Sequence, residues 1–279
     1  FLSISAFWQM YDNIIPLILK NTFQFGETIT GFIMAVDNVL ALFLLPFFGA
    51  LSDKVSTPIG KRMPFVLVGT ALSAILLLLL PYADNTENLV LFVVALFFLL
   101  ISLGLYRSPA VALMPDVTVK PLRSKANAII NLMGTAGGII VLVLGMVFAT
   151  SAVRNQLMNY NVYYGVIAGI MITALIIFLV TVREPAWSKQ MRDDSVKFGI
   201  EEEEEEESGE KRKLGKAELR SLIFILASIA LWYFGYNAVT SKYAVYAGNI
   251  LNMDYNTTLL IAQAAAIVAY LPAGMVASK

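Results

Sequence analysis

Long apolar runs separated by short charged or glycine-containing segments recur along the whole chain. Eight of them can be delimited: Phe1–Leu19, Thr28–Phe48, Met63–Tyr82, Leu89–Ala112, Ala126–Ser151, Val162–Val182, Leu219–Val245 and Thr257–Val276. Each is close to the ~20 residues that cross the hydrocarbon core of a bilayer. Backbone in hydrocarbon must satisfy its own hydrogen bonds, so every run predicts a transmembrane helix and the chain reads as an all-α polytopic membrane protein. Pro16, Pro46, Pro109 and Pro272 fall in or near the ends of runs. Membrane helices tolerate such breaks where neighbours or water satisfy the freed carbonyls. The stretch Arg183–Lys216 breaks the pattern, being polar and charged, with Glu201–Glu207 followed by Lys211, Arg212 and Lys213. Seven consecutive carboxylates repel one another and bury nothing, which predicts a solvated, disordered linker acting as a spacer.

The polar segments are not interchangeable. Gly49-Ala-Leu-Ser-Asp53-Lys54, followed by Gly60-Lys61-Arg62, is partly repeated at Gly274-Met-Val-Ala-Ser-Lys279, and both the Gly and the Lys pairs are 225 residues apart. At that offset Trp8 falls on Tyr233, Tyr11 on Tyr236 and Asp12 on Asn237. A repeat of this length among membrane spans predicts two homologous bundles. The expected organisation is an amino-terminal six-helix bundle over 1–184, a charged linker over 185–218, and the first two helices of a second bundle over 219–279. The second copy stops as it starts, and Phe1 lies inside an apolar run, so a fragment truncated at both ends is expected.

Charge orients the spans. One side of the membrane collects 16 cations: Lys54, Lys61, Arg62, Lys120, Arg123, Lys125, nine between Arg183 and Arg220, and Lys279; Arg107 near a span end would make 17. The other side has Lys20, Arg154 and Lys242. The positive-inside rule therefore predicts a cytoplasmic amino terminus and linker, in the cytoplasmic (plasma) membrane. Hydrophobic residues make up 58% of the chain, above the roughly 45–50% of soluble domains. A formal net charge of zero without a basic stripe argues against a nucleic-acid partner. The chain contains neither Cys nor His. Disulfides, thiolate sites and the usual metal ligand are thereby excluded, no cofactor is expected, and proton chemistry is left to carboxylates. No nucleophile–base pair or phosphate loop points to an enzyme.

Polar residues inside apolar runs are costly and are functional candidates by default. Asp37, beside Asn38 in the middle of the second run, is the first candidate proton carrier; the alternative is a helix-packing hydrogen bond. Asp12, flanked by Tyr11 and Asn13 and preceded by Trp8 and Gln9, is the second. A carboxylate beside an aromatic ring suits sugar recognition, the ring covering the apolar face and the carboxylate accepting from hydroxyls; interfacial anchoring of the aromatics is the alternative. The repeat-related Tyr236 and Asn237 would line the same cavity, as would Asn131 and Gln263 unless they make interhelical hydrogen bonds. Gly134, Gly137 and Gly138 read as close-packing positions. Gly49 permits close helix approach, and Asp53 can pair with a cation or accept from a helix amino terminus. With Lys54, Gly60, Lys61 and Arg62 it forms an expected cytoplasmic gate, joined by Asp116, Arg123 and Arg107. Arg107 lies five residues from the end of its run, so snorkelling to the interface competes with a gate or substrate role.

The loop GALSDK with GKRMP resembles the signature loop between the second and third helices of the major facilitator superfamily. Its longer form, with VSTPI inserted, is similar to the glycoside–pentoside–hexuronide cation symporters and the related sucrose–proton symporters. The stretch Arg107–Gly134, with Ala112-Leu113…Asp116 and Arg123…Ala126-Asn127, is similar to the fourth-to-fifth-helix region of that branch. The resemblance implies a twelve-helix transporter with a cavity between two bundles, moving a glycoside, often a disaccharide, with a proton or sodium ion by alternating access. Sodium-using members carry carboxylates just before the Pro of the second helix's final turn and four residues earlier. Here those positions are Leu45 and Ala41, which favours a proton. The expected function is proton-coupled sugar transport. The alternatives are a facilitator or efflux transporter of another amphiphile, or a transport-dead sensor or scaffold signalling through the acidic linker.

Overall fold

A computed structural model of the chain describes residues 1–150, 159–199 and 215–277. Within them lie α1 (Leu2–Asn21), α2 (Glu27–Lys54), α3 (Met63–Asn85), α4 (Leu89–Val117), a 3-10 turn at Lys120–Leu122, α5 (Arg123–Val147), α6 (Asn161–Thr181), α7 (Glu184–Lys197), α8 (Lys216–Asn249) and α9 (Tyr255–Ala277). The acidic run Glu201–Glu207, the cations Lys211, Arg212 and Lys213, Arg154, and the last two residues of the loop echo, Ser278 and Lys279, lie outside the described residues. Among the described residues there is no strand, and the all-α reading holds. At the 225-residue offset, α1 falls within α8 and α2 overlaps α9.

Six of these helices are long and apolar enough to cross a membrane: α2, α3, α4, α5 with its preceding 3-10 turn, α6 and α8. Helix α1 is not in that group, although its sequence predicts a span. It runs through the interior, packed against α5, α8, α6 and α2, with Phe7, Met10, Tyr11, Ile14 and Ile15 fully buried. A helix surrounded by protein can carry Gln9, Asp12 and Asn13 without presenting them to lipid. In contrast, α2 turns Phe32, Leu42, Phe43 and Phe47 outward, and α8 exposes Leu231, Phe234 and Val239, as lipid-facing surfaces do.

Small residues set the closest approaches. A side chain at Gly137 on α5 would collide with the Leu2 carbonyl and stand 3.2 Å from the Ala6 nitrogen, so α1 and α5 meet backbone to backbone. At Gly69 on α3 an added Cβ would lie 2.6 Å from the Tyr106 Cβ of α4, and the same helix pair is tied by Ser73 and Ser102, whose hydroxyls are 2.7 Å apart in the core. Such approaches gain van der Waals contact, the main attraction between helices in lipid. Helix α2 runs unbroken through Pro46, beside which Ser108 of α4 donates to the Leu45 carbonyl at 2.7 Å.

One difference from the sequence reading has a clear cause. The beginning of the segment taken as a disordered linker is helix α7. Its Pro185 sits in the first turn next to Glu184, a favourable helix start. Glu184 is buried at 2% exposure, so the helix is pinned by its first residue despite its polar composition.

Candidate functional site

The charged end of the bundle, where α2 passes to α3 and α4 to α5, is organised around Arg62. Its guanidinium, in a residue 4% exposed, donates from Nε to Asp116 Oδ2 at 3.0 Å, from Nη2 to Asp53 Oδ1 at 2.5 Å, and from Nη1 to the Gly49 carbonyl at 3.2 Å and to the Ser52 hydroxyl. Lys61 Nζ adds a contact of 3.2 Å to Asp116 and one of 3.9 Å to Asp53. A planar fork of five donors can hold several acceptors at once, which an ammonium cannot. One residue thus ties the end of α2 to the end of α4. Gly49 lets this happen: an added Cβ there would be 3.1 Å from Ser108 Oγ on α4.

Sequence reasoning missed the partner beneath this loop. Glu184 accepts from the backbone N–H groups of Lys61 at 2.9 Å, Arg62 at 3.0 Å and Met63 at 3.0 Å. These are the donors a helix amino terminus leaves unmet, so Glu184 caps α3 from 122 residues away in sequence. Gly60, at φ +123°, is the residue the capping requires, because a side chain there would occupy the Glu184 carboxylate. The available signal was the Glu184-Pro185 helix start, which was absorbed into the polar linker. Arg123 caps the other helix, donating from Nε to the Thr118 carbonyl and from Nη2 to the Pro115 carbonyl, each at 3.2 Å. Lys54 is exposed on the last turn of α2.

A second cluster, of half-buried residues, is contributed by α1, α2 and α4. The Arg107 guanidinium stands 5.2 Å from the centre of the Trp8 ring and within electrostatic reach of Asp37. Asp37 in turn is within reach of Asp12. The structure therefore sets Arg107 beside Asp37, on the side of the substrate alternative that the sequence left open next to a gate role and snorkelling. The physical reason is helix length: α4 continues to Val117 rather than ending near Ala112, which sinks Arg107 a further five residues, about 7.5 Å. Asp37 also accepts from the backbone and side chain of Asn38, at 2.6 and 2.8 Å. Trp8 contacts Phe7 and Tyr11 edge-on, with ring centres 5.5 and 5.3 Å apart. The Trp8 Nε1 and the Tyr11 hydroxyl are buried and have no hydrogen-bond partner among the described residues. Buried polar groups are normally paired, so this region holds unused hydrogen-bonding capacity.

The remaining candidates divide. Gln263 of α9 reaches Gln9 of α1, its Nε2 donating to Gln9 Oε1 at 2.7 Å. Asn13 is buried and donates to the Gln9 carbonyl of its own helix at 2.6 Å. Asn131 is exposed on α5. Tyr236 is exposed and stacks on Trp232 with ring centres 5.6 Å apart, and Asn237 is half-buried beside it.

At the end opposite the Arg62 loop, α8 and α9 are tied to the first six helices. Glu27 bridges Lys20 at 2.6 Å and Lys242 of α8 at 2.8 Å, and Lys242 also donates to the Glu27 carbonyl at 2.8 Å. Tyr255 of α9 shares a 2.7 Å hydrogen bond with Thr150, and the Asn256 amide donates to the same hydroxyl at 3.3 Å.

Comparison with known proteins adds the following. A region of 138 residues is 25% identical to the sucrose transport protein SUC3 of Arabidopsis thaliana, covering 43% of this chain and 23% of that protein. The chain therefore accounts for less than a quarter of its relative's length. No solved structure matches the chain. A profile of the Major Facilitator Superfamily matches residues 1–279, end to end. With its apolar membrane-length helices and its interior charges, the chain is an integral membrane protein of the Major Facilitator Superfamily, a family of transporters.

Proposed function

We propose that the chain belongs to a secondary transporter that moves a neutral sugar or glycoside, a disaccharide in the first instance, by alternating access with a proton as coupling ion. The observation that carries this reading is a chain of neighbours across α1, α2 and α4: Arg107 over the Trp8 ring, Asp37 within electrostatic reach of Arg107, and Asp12 within reach of Asp37. An indole face and carboxylate acceptors are what a hydroxylated ring requires. Asp37 has the Arg107 guanidinium within reach while Asp12 faces the Asp37 charge, which leaves one negative charge unbalanced, and a proton is the simplest ion to balance it. With no His or Cys in the chain, that proton falls to a carboxylate. Leu45 and Ala41 stand where the sodium-using relatives would need carboxylates, which further favours the proton. The similarity of part of the chain to a sucrose transport protein supports the substrate class.

In this reading residues 1–184 form the first bundle, 185–218 the linker and 219–279 the start of the second. The Arg62 end is cytoplasmic by its excess of cations. There Arg62, Asp53, Asp116 and Glu184 act as a gate that ties α2, α3, α4 and α7 into one moving unit. The sugar binds at the Trp8 cluster, Asp37 or Asp12 takes the proton, and both are released together when the bundles rock. Counterflow of radiolabelled sucrose in proteoliposomes tests this directly. Exchange that is saturable and competed by other disaccharides is expected; absence of exchange with every disaccharide, together with exchange of an unrelated amphiphile, contradicts it.

A further inference from the structure

The Gln9–Gln263 pair joins α1 to α9, two helices from different halves of the repeat. Its floor is Gly138 on α5. A Cβ at that position would lie 2.9 Å from Gln263 Nε2, 3.0 Å from Gln263 Oε1 and 3.2 Å from Gln9 Oε1. Any residue other than glycine would displace the amides, so the helix surface is hollowed at the place where the two glutamines meet. The pairing also leaves a remainder. Gln263 Oε1 is buried and has no partner among the described residues, and neither has Trp8 Nε1, on the residue next to Gln9. An amide oxygen can only accept and an indole N–H can only donate. A carboxylate would satisfy the second and leave the first unmet, and an ammonium group would do the reverse. A hydroxyl donates and accepts, so a polyhydroxylated solute can meet both.

We propose that Gln263, held in place by Gln9 and by the space at Gly138, is a specificity-determining residue that accepts a hydrogen bond from a hydroxyl of a neutral polyhydroxylated solute, while Trp8 Nε1 donates to another of its oxygens. The inference rests on the transporter reading above and narrows its substrate class. Glycosides with a free hydroxyl at the contacted position are taken. Uronides are disfavoured at that contact, because a carboxylate there would face the Gln263 oxygen acceptor to acceptor. Since Gln263 stands on α9 and Trp8 on α1, the bound solute bridges the two halves, and its binding is sensed by both.

The test uses equilibrium binding of radiolabelled sucrose and of a series of monodeoxysucroses to the purified protein, wild type against Gln263→Met, Gln9→Met and Gly138→Ala. Gln263→Met keeps the side-chain length and removes the acceptor. Sucrose affinity is expected to fall about tenfold to a hundredfold in it, the range for losing one buried hydrogen bond. One deoxy analogue, lacking the hydroxyl that Gln263 reads, is expected to bind wild type and variant alike, and its retained affinity also reports that the variant is folded. Gln9→Met and Gly138→Ala are expected to give the same pattern at smaller amplitude. If Gln263→Met binds sucrose as wild type does, or loses every analogue by the same factor, the inference is overturned and the sugar reading stands. If wild type binds no saccharide, both are overturned, and the wild-type arm alone shows it.

Discussion

Glu184, the first residue of α7, occupies the space that a side chain at Gly60 would need, and from there its carboxylate accepts from the backbone of Lys61, Arg62 and Met63. A residue placed after six long helices thus fixes the loop between the second and third. The loop is held in part from outside its own sequence.

Gly60→Ala should therefore damage the loop twice, by forcing φ +123° on a residue with a Cβ and by displacing the cap. We expect a stability loss of about 1–3 kcal/mol, read as a lower unfolding temperature in detergent. Glu184→Gln should lose part of the same amount, since charge-assisted hydrogen bonds to backbone N–H groups become neutral ones. An unchanged unfolding temperature in both variants would contradict the capping role.

Arg62→Lys tests the hub. Lysine preserves the charge but reaches fewer of the acceptors on Asp53, Asp116, Ser52 and Gly49 that the guanidinium fork holds. Transport is expected to fall at least tenfold while sucrose affinity stays within about twofold, because the site lies elsewhere in the bundle. A loss of affinity equal to the loss of rate would place Arg62 at the solute instead.

Six of the eight spans were legible because apolar runs of bilayer length have few other interpretations. The Gly49 loop was legible because its spacing recurs and its charges cluster. What escaped was decided by three-dimensional neighbours. Arg107 stayed open between gate, substrate and interface because its depth was counted from the end of the apolar run at Ala112, and the helix outlasts the run through Pro115 and Asp116. Gln9 was passed over as a flanking residue, because its partner Gln263 lies 254 positions away. Asn13 reads as a ligand-facing amide, and its hydrogen bond to its own helix is a local contact that the sequence does not reveal. Helix α7 was hidden by its polar composition, which its single buried carboxylate outweighs.

The α1–α5 contact gives a paired prediction. Gly137→Ala brings a methyl group against the Leu2 carbonyl, and backbone cannot step aside as a flexible side chain would. Destabilisation of about 1–3 kcal/mol is expected, the usual range for overpacking. At Gly165 and Gly169 of α6 nothing lies within 4 Å of an added Cβ, so alanine there should be neutral or stabilising by up to about 1 kcal/mol. Comparable unfolding temperatures for the three variants would contradict the packing described.

Lys242→Ala removes the bond between α8 and Glu27. The pair is partly exposed, with side-chain exposures of 35% and 57%, so its contribution to stability should be below about 1 kcal/mol. Its effect should appear in access instead. The chain has no Cys, so Thr30→Cys, a position 3% exposed on α2, provides a single reporter. Its rate of thiol labelling should rise up to about fivefold in the Lys242→Ala background. An unchanged rate would mean that this contact does not hold the opposite end closed.

The central claim is that the interior carboxylates couple a proton to solute movement. Its most direct measurement is radiolabelled sucrose uptake into proteoliposomes with and without an inward proton gradient, for wild type, Asp12→Asn and Asp37→Asn. The account predicts gradient-driven accumulation in wild type and its loss in at least one variant, with exchange across equal pH retained there. Uptake indifferent to the gradient in wild type, or full gradient-driven accumulation in both variants, would contradict it.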